Sequence, residues 1–233
     1  LGKTITTLTA IVDLIDSMVV SKVLIVAPLR VANSVWHKEA ANWQHTKHLK
    51  FSIVTGSEKE RLASLHKTAD VYVINRENVS WIVEHYAKKW PFDMIVLDES
   101  SSFKSSSSQR FKSLRKTIPF TNRLVELTGT PSPNGLLDIW SQMYLLDCGE
   151  RLGRSMTAYK QRFFEAGYNG YSFKPVKSAD RIIHKLIDDI VISLNVDDYL
   201  EMPDRIDTVI RVSLPASRMV EYKQLEREFL IQI

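Results

Sequence analysis

Three short stretches of the chain carry residue types that could bind and hydrolyse a nucleotide. Leu1-Gly2-Lys3-Thr4 matches the end of a phosphate loop, G-x-x-x-x-G-K-[ST]. In such a loop, backbone N–H groups cradle the phosphates, the Lys reaches the β and γ phosphates, and the hydroxyl group binds Mg²⁺. Gly2, Lys3 and Thr4 are therefore candidate ligands of phosphate and metal. Because only the last three motif positions are present, a chance match stays open.

The second stretch is Asp98-Glu99, directly after the apolar run Met94-Ile95-Val96-Leu97. Carboxylates at the end of a buried strand are costly unless they are paired, and Mg²⁺ would pair them. In nucleotide hydrolases, the first acid of such a pair holds the metal and the second orients or deprotonates the attacking water. Two ordinary exposed acids at the end of a strand are the alternative.

The third stretch, Thr128-Gly129-Thr130-Pro131, follows the strand-like run 123–127. Small hydroxyl residues around a glycine can approach a phosphate closely. They stand where open α/β sheets bind their ligands, beyond the carboxyl ends of the strands. A plain Gly-Pro turn is the alternative for this stretch.

The elements that must position these residues alternate along the chain. Apolar runs of strand length are 23–27, 51–54, 71–74, 94–97 and 123–127, and stretches with helical spacing are Thr4–Val20, Val31–Trp43, Glu58–Lys67, Val79–Lys89 and Gln109–Lys116. Strands that are apolar throughout are typical of a parallel sheet covered by helices on both faces. The sequence therefore predicts an α/β domain over residues 1 to about 147.

The pattern changes after residue 147. We expect a helical and acidic extension over 148–233, with an aromatic-rich helix near 159–164 and a Gly/Tyr loop at 167–173. It continues with a helix at Ala179–Ile187, strands at 190–194 and 208–214, and a charged helix at Ala216–Ile231. Six acidic residues and no basic one fall between 187 and 204.

A basic segment follows the acidic pair. Between Ser100 and Val125 there are six basic residues and no acidic one, and Lys104 and Arg110 are the first two. Such a segment suits the phosphate backbone of a nucleic acid, because that binding depends largely on positive charge. A solvated surface face is the alternative.

Composition excludes several classes of protein. The chain has 233 residues, a formal charge of +4, 44% hydrophobic and 25% charged residues, which excludes a disordered or collagen-like chain. No apolar run reaches the length of a membrane span, and no secretion signal is visible. The single cysteine, Cys148, allows no internal disulfide, so we expect a cytoplasmic protein. Because the chain begins at Leu1 with no Met, we interpret it as a fragment.

In order and position, the three stretches together resemble the first RecA-like lobe of superfamily 2 helicases, and in detail the Swi/Snf-type DNA translocases. The resemblance extends over nearly the whole chain. Residues 23–43 are similar to that family's motif Ia, 71–79 to its motif Ib region, 135–146 to the helix after motif III, 155–164 to an F-x-x-R-F-like segment, and 214–225 to the passage toward a second lobe.

The resemblance implies a role for each candidate residue. Lys3 would bind the β and γ phosphates of ATP, Thr4 and Asp98 would hold Mg²⁺, and Glu99 would be the catalytic base. Thr128, Gly129 and Thr130 would couple the nucleotide site to DNA. Residues of the family that contact the nucleic-acid backbone correspond here to Pro28, Leu29, Arg30, Asn75 and Arg76.

Two departures from the family pattern matter. The family usually has D-E-A-H or D-E-x-H, whereas Ser100 and Ser101 follow Asp98-Glu99, so that no His links the nucleotide site to motif III. Ser101 could make a weaker hydrogen bond in its place. The usual R-R-x-K stretch is replaced by the acidic stretch 195–204.

The resemblance implies an ATP-binding lobe of a translocase that moves on duplex DNA without separating its strands. It also implies that adenine recognition lies before Leu1, and that a second lobe with an arginine finger follows residue 233, so we expect this fragment alone to hydrolyse ATP slowly or not at all. A strand-separating helicase of DNA or RNA, a restriction-type motor and a catalytically inactive nucleic-acid-binding module stay open. A P-loop kinase is weaker, because kinases need no T-G-T-P junction.

Overall fold

The computed structural model describes residues 2–167, 172–194, 208, 210 and 212–231. Its helices are α1 (Lys3–Asp16), α2 (Leu29–Ser34), α3 (Trp36–Ala41), α4 (Glu58–Leu65), α5 (Val79–Tyr86), α6 (Gln109–Arg115), α7 (Ile139–Asp147), α8 (Met156–Phe163), α9 (Ala179–Ile187) and α10 (Ala216–Ile231). Its strands are β1 (Val23–Ala27), β2 (Phe51–Val54), β3 (Val71–Asn75), β4 (Met94–Asp98), β5 (Arg123–Leu127), β6 (Phe164–Ala166) and β7 (Phe173–Pro175). The chain divides into two compact units, Leu1–Ser193 and Leu194–Ile233, and α10 belongs to the second.

Five strands of the first unit form one parallel sheet in the order β2-β3-β1-β4-β5. Strand β1 is central, with Val23 opposite Val71 on one side and Met94 on the other. Every residue of β1 and β3 is buried, whereas the residues of β5 are exposed or half-buried. Continuous apolar runs suit the middle of a parallel sheet, because both of its faces are covered. The predicted parallel α/β fold is confirmed.

Helices cover both faces of this sheet and complete two apolar cores. Because side chains alternate along a strand, Leu24 and Val26 face one core, whereas Val23 and Ile25 face the other. Helices α5, α6 and α7 contribute to the first core. Helices α1 and α3 contribute to the second, in which Leu8 is fully buried. The start of α1 is thereby held against the sheet.

Residues 148–193 pack against the first of these cores. Helix α8 contributes Tyr159 and Phe163, and α9 contributes Ile183. The Tyr159 hydroxyl also donates a hydrogen bond to the carbonyl oxygen of Leu136, 2.8 Å away. Strand and helix stop alternating after α7, but the compact unit continues to Ser193.

Two predicted helices differ from the structure. The helix predicted at 31–43 is two short helices, α2 and α3, separated at Val35 (φ −99°, ψ −60°). The first of them begins at Leu29, directly after the extended Pro28. The helix predicted to reach Val20 ends at Asp16, because Met18 takes a left-handed conformation (φ 57°), which ends a helix.

The strand predicted at 190–194 is wrong. These residues have no regular structure, and Ile192 is 88% exposed. The N–H groups of Ile190 and Val191 donate to the carbonyl oxygen of Ile187, which continues the last turn of α9 instead. β-branched residues favour a strand only where a neighbouring strand pairs their backbone, and none of the described strands lies beside this segment.

Several other predictions fall wholly or partly outside the described residues. They are the acidic stretch 195–204, most of the Gly/Tyr loop 167–173 and parts of the strand predicted at 208–214. The Gly/Tyr loop connects β6 and β7, a short antiparallel pair that the sequence analysis missed. Among the described helices, none has both the length and the apolar character that spanning a membrane requires.

Candidate nucleotide site and nucleic-acid interface

The candidate residues lie along one edge of the parallel sheet. Because all five strands point the same way, their carboxyl ends form a single border, which we call the carboxyl edge. Asp98 ends β4, Asn75 ends β3, Pro28 follows β1 and Thr128 follows β5. This border is where open α/β sheets bind ligands.

The start of α1 brings Lys3 to the acidic strand end. Gly2 precedes the helix in the left-handed region (φ 68°), a conformation that glycine takes at little cost. From the first turn, the Lys3 ammonium lies 3.8 Å from the Glu99 carboxylate. Both side chains are about two-fifths exposed, so this ion pair contributes little to stability. Lys3 and Glu99 are adjacent although far apart in sequence, and Thr4 lies in the same helical turn as Lys3.

Asp98 is the more buried of the two acids, and a tryptophan holds it. The indole N–H of Trp36, a fully buried residue of α3, donates a hydrogen bond of 3.1 Å to Asp98 Oδ2. Burial raises the pKa of Asp98, and the neighbouring Glu99 charge raises it further. The Trp36 hydrogen bond and the Lys3 charge oppose these effects. Asp98 is thus a desolvated carboxyl group that a cation would stabilise in its charged form.

Glu99 marks a sharp turn of the chain. Its backbone is left-handed (φ 58°, ψ 60°), a conformation that costs an L residue about 1–2 kcal/mol. A short 3₁₀ turn, Ser100–Phe103, follows at once. The turn ends β4 and leaves the Glu99 side chain 43% exposed, open to a ligand at the carboxyl edge.

The T-G-T-P loop lies beside the acidic pair. Asp98 is opposite Leu127 in the register of β4 and β5, so Thr128 begins next to the acidic strand end. Within the loop, the N–H of Thr130 donates to the Thr128 hydroxyl at 3.0 Å. Gly129 is exposed, and none of the described atoms would lie within 4 Å of a Cβ there. The loop therefore leaves open space beside the acids.

Candidate contacts to nucleic acid follow β1. Pro28 precedes α2, and both Leu29 and Arg30 are exposed at its start, Leu29 by 51%. An exposed arginine at a helix start on the carboxyl edge is available to a phosphate. Leu29 offers only apolar surface there.

The two candidates after β3 have different environments. Asn75 is only 6% exposed, and its side-chain amide donates to Glu77 at 2.9 Å and accepts from Asn78 at 2.6 Å. Its side chain therefore orders the turn after β3 and is not open to solvent. Arg76 is partly exposed and pairs with Glu77 at 3.0 Å.

The candidates of the basic segment are held by neighbouring groups. Lys104 lies 3.4 Å from the carboxylate of Asp138. Arg110 donates to the carbonyl oxygen of Ser102 at 3.2 Å and lies over the ring of Phe103. A phosphate would have to compete with these contacts.

Two buried polar residues next to the acids were missed by the sequence analysis. The Ser100 hydroxyl donates to the side-chain amide oxygen of Gln142 in α7 at 2.9 Å, and both residues are almost fully buried. Ser101, which the sequence analysis favoured for such a bond, is not the residue that makes it. A polar residue within the apolar run of α7 was the available signal for Gln142. Ser100 gave none, because it stands in a run of serines.

Glu126 of β5 is a further buried group that was missed. Neither of its carboxyl oxygens reaches solvent or has a hydrogen-bond partner among the described residues. Burial raises the pKa of Glu126 well above its usual range. An acidic residue between the apolar residues Val125 and Leu127 of this strand was the signal for it.

Comparison with known proteins identifies relatives over most or all of the chain. The family model described as the SNF2-related domain matches residues 1–233. Protein p41 of Acyrthosiphon pisum secondary endosymbiont phage 1 is 38% identical over 244 aligned positions, which cover all of this chain and 53% of that protein. The transcription regulatory protein SNF2 of Saccharomyces cerevisiae is 24% identical over 97% of this chain and 14% of its own length. The chain thus spans about half of the phage protein and a small part of the yeast one.

A solved structure has the same fold. The Sulfolobus solfataricus SWI2/SNF2 ATPase core in complex with double-stranded DNA superposes with a TM-score of 0.64 at 23% identity, over 82% of this chain and 37% of that one. The five-stranded parallel sheet with helices on both faces is therefore the fold of a RecA-like SWI2/SNF2 ATPase core. Since the family model covers the whole chain, the chain belongs to the SNF2-related domain family.

Proposed function

We propose that this chain is the ATP-binding lobe of an ATP-dependent translocase that moves on duplex DNA. The observation that carries the proposal is the meeting of Lys3 and Glu99, 3.8 Å apart, beside the half-buried Asp98. The basic and acidic groups that phosphoryl transfer to water requires are thereby brought to one place. The archaeal neighbour, which was solved with double-stranded DNA, supports duplex DNA as the partner.

Lys3 and the free N–H groups at the start of α1 would bind the phosphates of ATP, since a helix start attracts anions. Asp98 and the Thr4 hydroxyl would hold Mg²⁺. One carboxylate and one hydroxyl suit this ion, because it prefers oxygen ligands and takes the remainder from phosphates and water. When bound, Mg²⁺ neutralises charge on the phosphates.

Glu99 would act on the attacking water. Its carboxylate pairs with Lys3. A triphosphate carries more negative charge than one carboxylate, so it would draw the Lys3 ammonium away. Glu99 would then be free to accept a hydrogen bond from water and to take its proton.

The other half of the carboxyl edge would face DNA. Arg30 after β1 and Arg76 after β3 would contact backbone phosphates, with Asn75 ordering the turn that carries Arg76. Lys104 and Arg110 would add positive charge from the segment after β4. The loop Thr128–Thr130 would connect this surface with the nucleotide site.

A second RecA-like lobe would complete the motor. The chain spans 53% of the phage relative and 37% of the archaeal core, which leaves room for such a lobe in the full-length protein. The second lobe would contribute the arginine finger. This chain alone would therefore hydrolyse ATP slowly or not at all.

The test is ATP hydrolysis by the full-length protein, alone and with duplex DNA, single-stranded DNA or RNA. Lys3→Ala should abolish turnover, whereas Lys59→Ala, which removes an exposed lysine of α4, should not. Turnover stimulated by duplex DNA and lost with Lys3→Ala would support the proposal.

Two results would replace it. Stimulation selective for single strands or RNA, with separation of strands, would indicate a helicase. ATP binding without turnover on any nucleic acid would indicate an inactive binding module.

A further inference from the structure

Two polar side chains meet in a buried space behind the acidic strand end. They are Ser100, from the turn after β4, and Gln142, from α7. Ser100 is fully buried and Gln142 is 2% exposed. Burying polar groups is unfavourable unless hydrogen bonds compensate for the lost water. Their arrangement therefore requires an explanation beyond packing.

Both N–H groups and the oxygen of the Gln142 side-chain amide have hydrogen-bond partners. Its Nε2 donates to the carbonyl oxygens of Pro131 at 2.6 Å and Asp138 at 3.0 Å. Because these two acceptors take both N–H groups, the orientation of the amide is determined, and Oε1 must face Ser100. Ser100 in turn donates to Oε1 at 2.9 Å. The Gln142 side chain thus connects the segment that contains Ser100 with the segment that contains Pro131.

The two connected segments are functional by the proposed assignment. Ser100 is bonded covalently to Glu99, the proposed base. Pro131 follows Thr130 directly and ends the T-G-T-P loop. Apart from the ladder between β4 and β5, the described structure links these segments through Gln142.

We propose that Gln142 is a positioning residue that couples the T-G-T-P loop to the acidic pair, through Pro131 on one side and Ser100 on the other. This inference rests on the proposed function, because it needs Glu99 to act in ATP hydrolysis. When DNA binding displaces the T-G-T-P loop, the hydrogen bond between Gln142 and Pro131 moves the Gln142 amide. The hydrogen bond from Ser100 then transmits this movement to the turn that positions Glu99. No His follows Asp98-Glu99, and the sequence analysis suggested Ser101 in its place. In the structure Ser100 and Gln142 form this link.

The test compares variants of the full-length protein in ATP hydrolysis with and without duplex DNA. Gln142→Leu keeps the approximate size of the side chain and removes all three hydrogen bonds. The matched control is Ser141→Ala, the adjacent residue of α7, whose buried hydroxyl has no partner among the described residues. Thermal unfolding of each variant separates lost folding from lost coupling.

We expect Gln142→Leu to lower the DNA-stimulated kcat by roughly tenfold, the effect of one or two buried hydrogen bonds. The KM for ATP should change by less than about twofold, because the group acts on the chemical step and not on binding. Ser100→Ala should act in the same direction. The double variant should be no worse than Gln142→Leu alone, because both changes break one connection.

Three results would overturn the inference. The first is a kcat of Gln142→Leu equal to that of Ser141→Ala, and the second is a raised KM with kcat unchanged. The third is a double variant in which the effects of Gln142→Leu and Ser100→Ala add. If Gln142→Leu fails to fold, Ser100→Ala decides by the same criteria. Failure of the proposed function is distinct, because the unsubstituted protein would then show no DNA-stimulated turnover at all; that result removes the step that Gln142 serves and overturns both.

Discussion

The indole N–H of Trp36 donates a hydrogen bond to Asp98 across 62 residues of sequence, at 3.1 Å. It connects α3 with the end of β4 on the carboxyl edge. Asp98 is half-buried, and this bond is the largest of the interactions that favour its charged form. Trp36 therefore orients the proposed Mg²⁺ ligand and favours its charged form.

Trp36→Phe should raise the pKa of Asp98 further, because it removes the hydrogen bond that lowers it while burial remains. In the proposed role as a Mg²⁺ ligand Asp98 must be ionised, so ATP hydrolysis should be lost as pH falls through this pKa. The acid limb of the pH–rate profile should move to higher pH, so that kcat falls most on the acid side of the profile and least on the alkaline side. The measurement is ATP hydrolysis by the full-length protein over a pH series.

Trp43→Phe is the matched control, because Trp43 makes the same kind of bond to Glu39 at 3.0 Å on the exposed surface. Its pH–rate profile should follow that of the unsubstituted protein. An unshifted profile for Trp36→Phe would show that the indole packs without influencing Asp98.

Glu99→Gln keeps the size of the side chain but removes its negative charge. We expect hydrolysis to fall by about 10²- to 10⁴-fold, the usual contribution of a general base. ATP binding should be unchanged or tighter, because Lys3 loses its competing carboxylate. Single-turnover hydrolysis and the Kd of a fluorescent ATP analogue measure the two effects. A variant that keeps its rate would exclude Glu99 as the base.

Most of the fold could be predicted, because its strands are local features of sequence. The runs that form β1, β2 and β5 match the observed strands residue for residue, and β3 and β4 are each one residue longer. Such runs have few alternatives to a buried parallel strand. The run 190–194 has the same composition and is not a strand, because strand formation also depends on a neighbour that composition does not reveal.

The residues of the candidate site could be predicted only where a motif marks them. Lys3, Asp98 and Glu99 stand in recognisable patterns, and the structure places them together. The contacts of Trp36 and Gln142 join segments distant in sequence, and no local pattern encodes such a pair. Asn75 fits its motif position, but its side-chain amide makes hydrogen bonds with Glu77 and Asn78 of the same chain.

Glu126→Gln should stabilise the domain at neutral pH. Burial raises the pKa of Glu126 in the folded state above its unfolded value. The folded state therefore binds its proton more tightly, and stability is lost as pH rises through the folded pKa. Glutamine removes this loss. We expect a gain of about 1–3 kcal/mol at pH 8 that shrinks toward pH 4.5.

Thermal unfolding of the two proteins over this pH range measures the effect, at roughly 2–4 °C in Tm for each kcal/mol. Glu84→Gln is the control, because Glu84 is an exposed residue of α5. A Tm difference that does not depend on pH would contradict a buried, proton-binding Glu126.

Arg30→Ala should weaken binding of duplex DNA by the full-length protein. Arg30 is exposed just beyond the carboxyl end of β1, whereas Lys22 is exposed just before the amino end of the same strand. Lys22→Ala removes the same charge at the opposite edge of the sheet and is therefore the matched control. Both variants lower the net charge equally, so any difference in their DNA affinity reflects the position of the lost charge.

The slope of log K against log salt should become less steep by about 0.9 for Arg30→Ala, the value of one lost phosphate contact, and stay unchanged for Lys22→Ala. Fluorescence anisotropy with a labelled duplex at several salt concentrations gives both slopes. The loss should be similar for unrelated duplex sequences, because a phosphate contact reads no bases. If the two variants change the affinity and the salt slope equally, DNA binding depends only on net charge. That result would contradict the carboxyl edge as the DNA-binding surface.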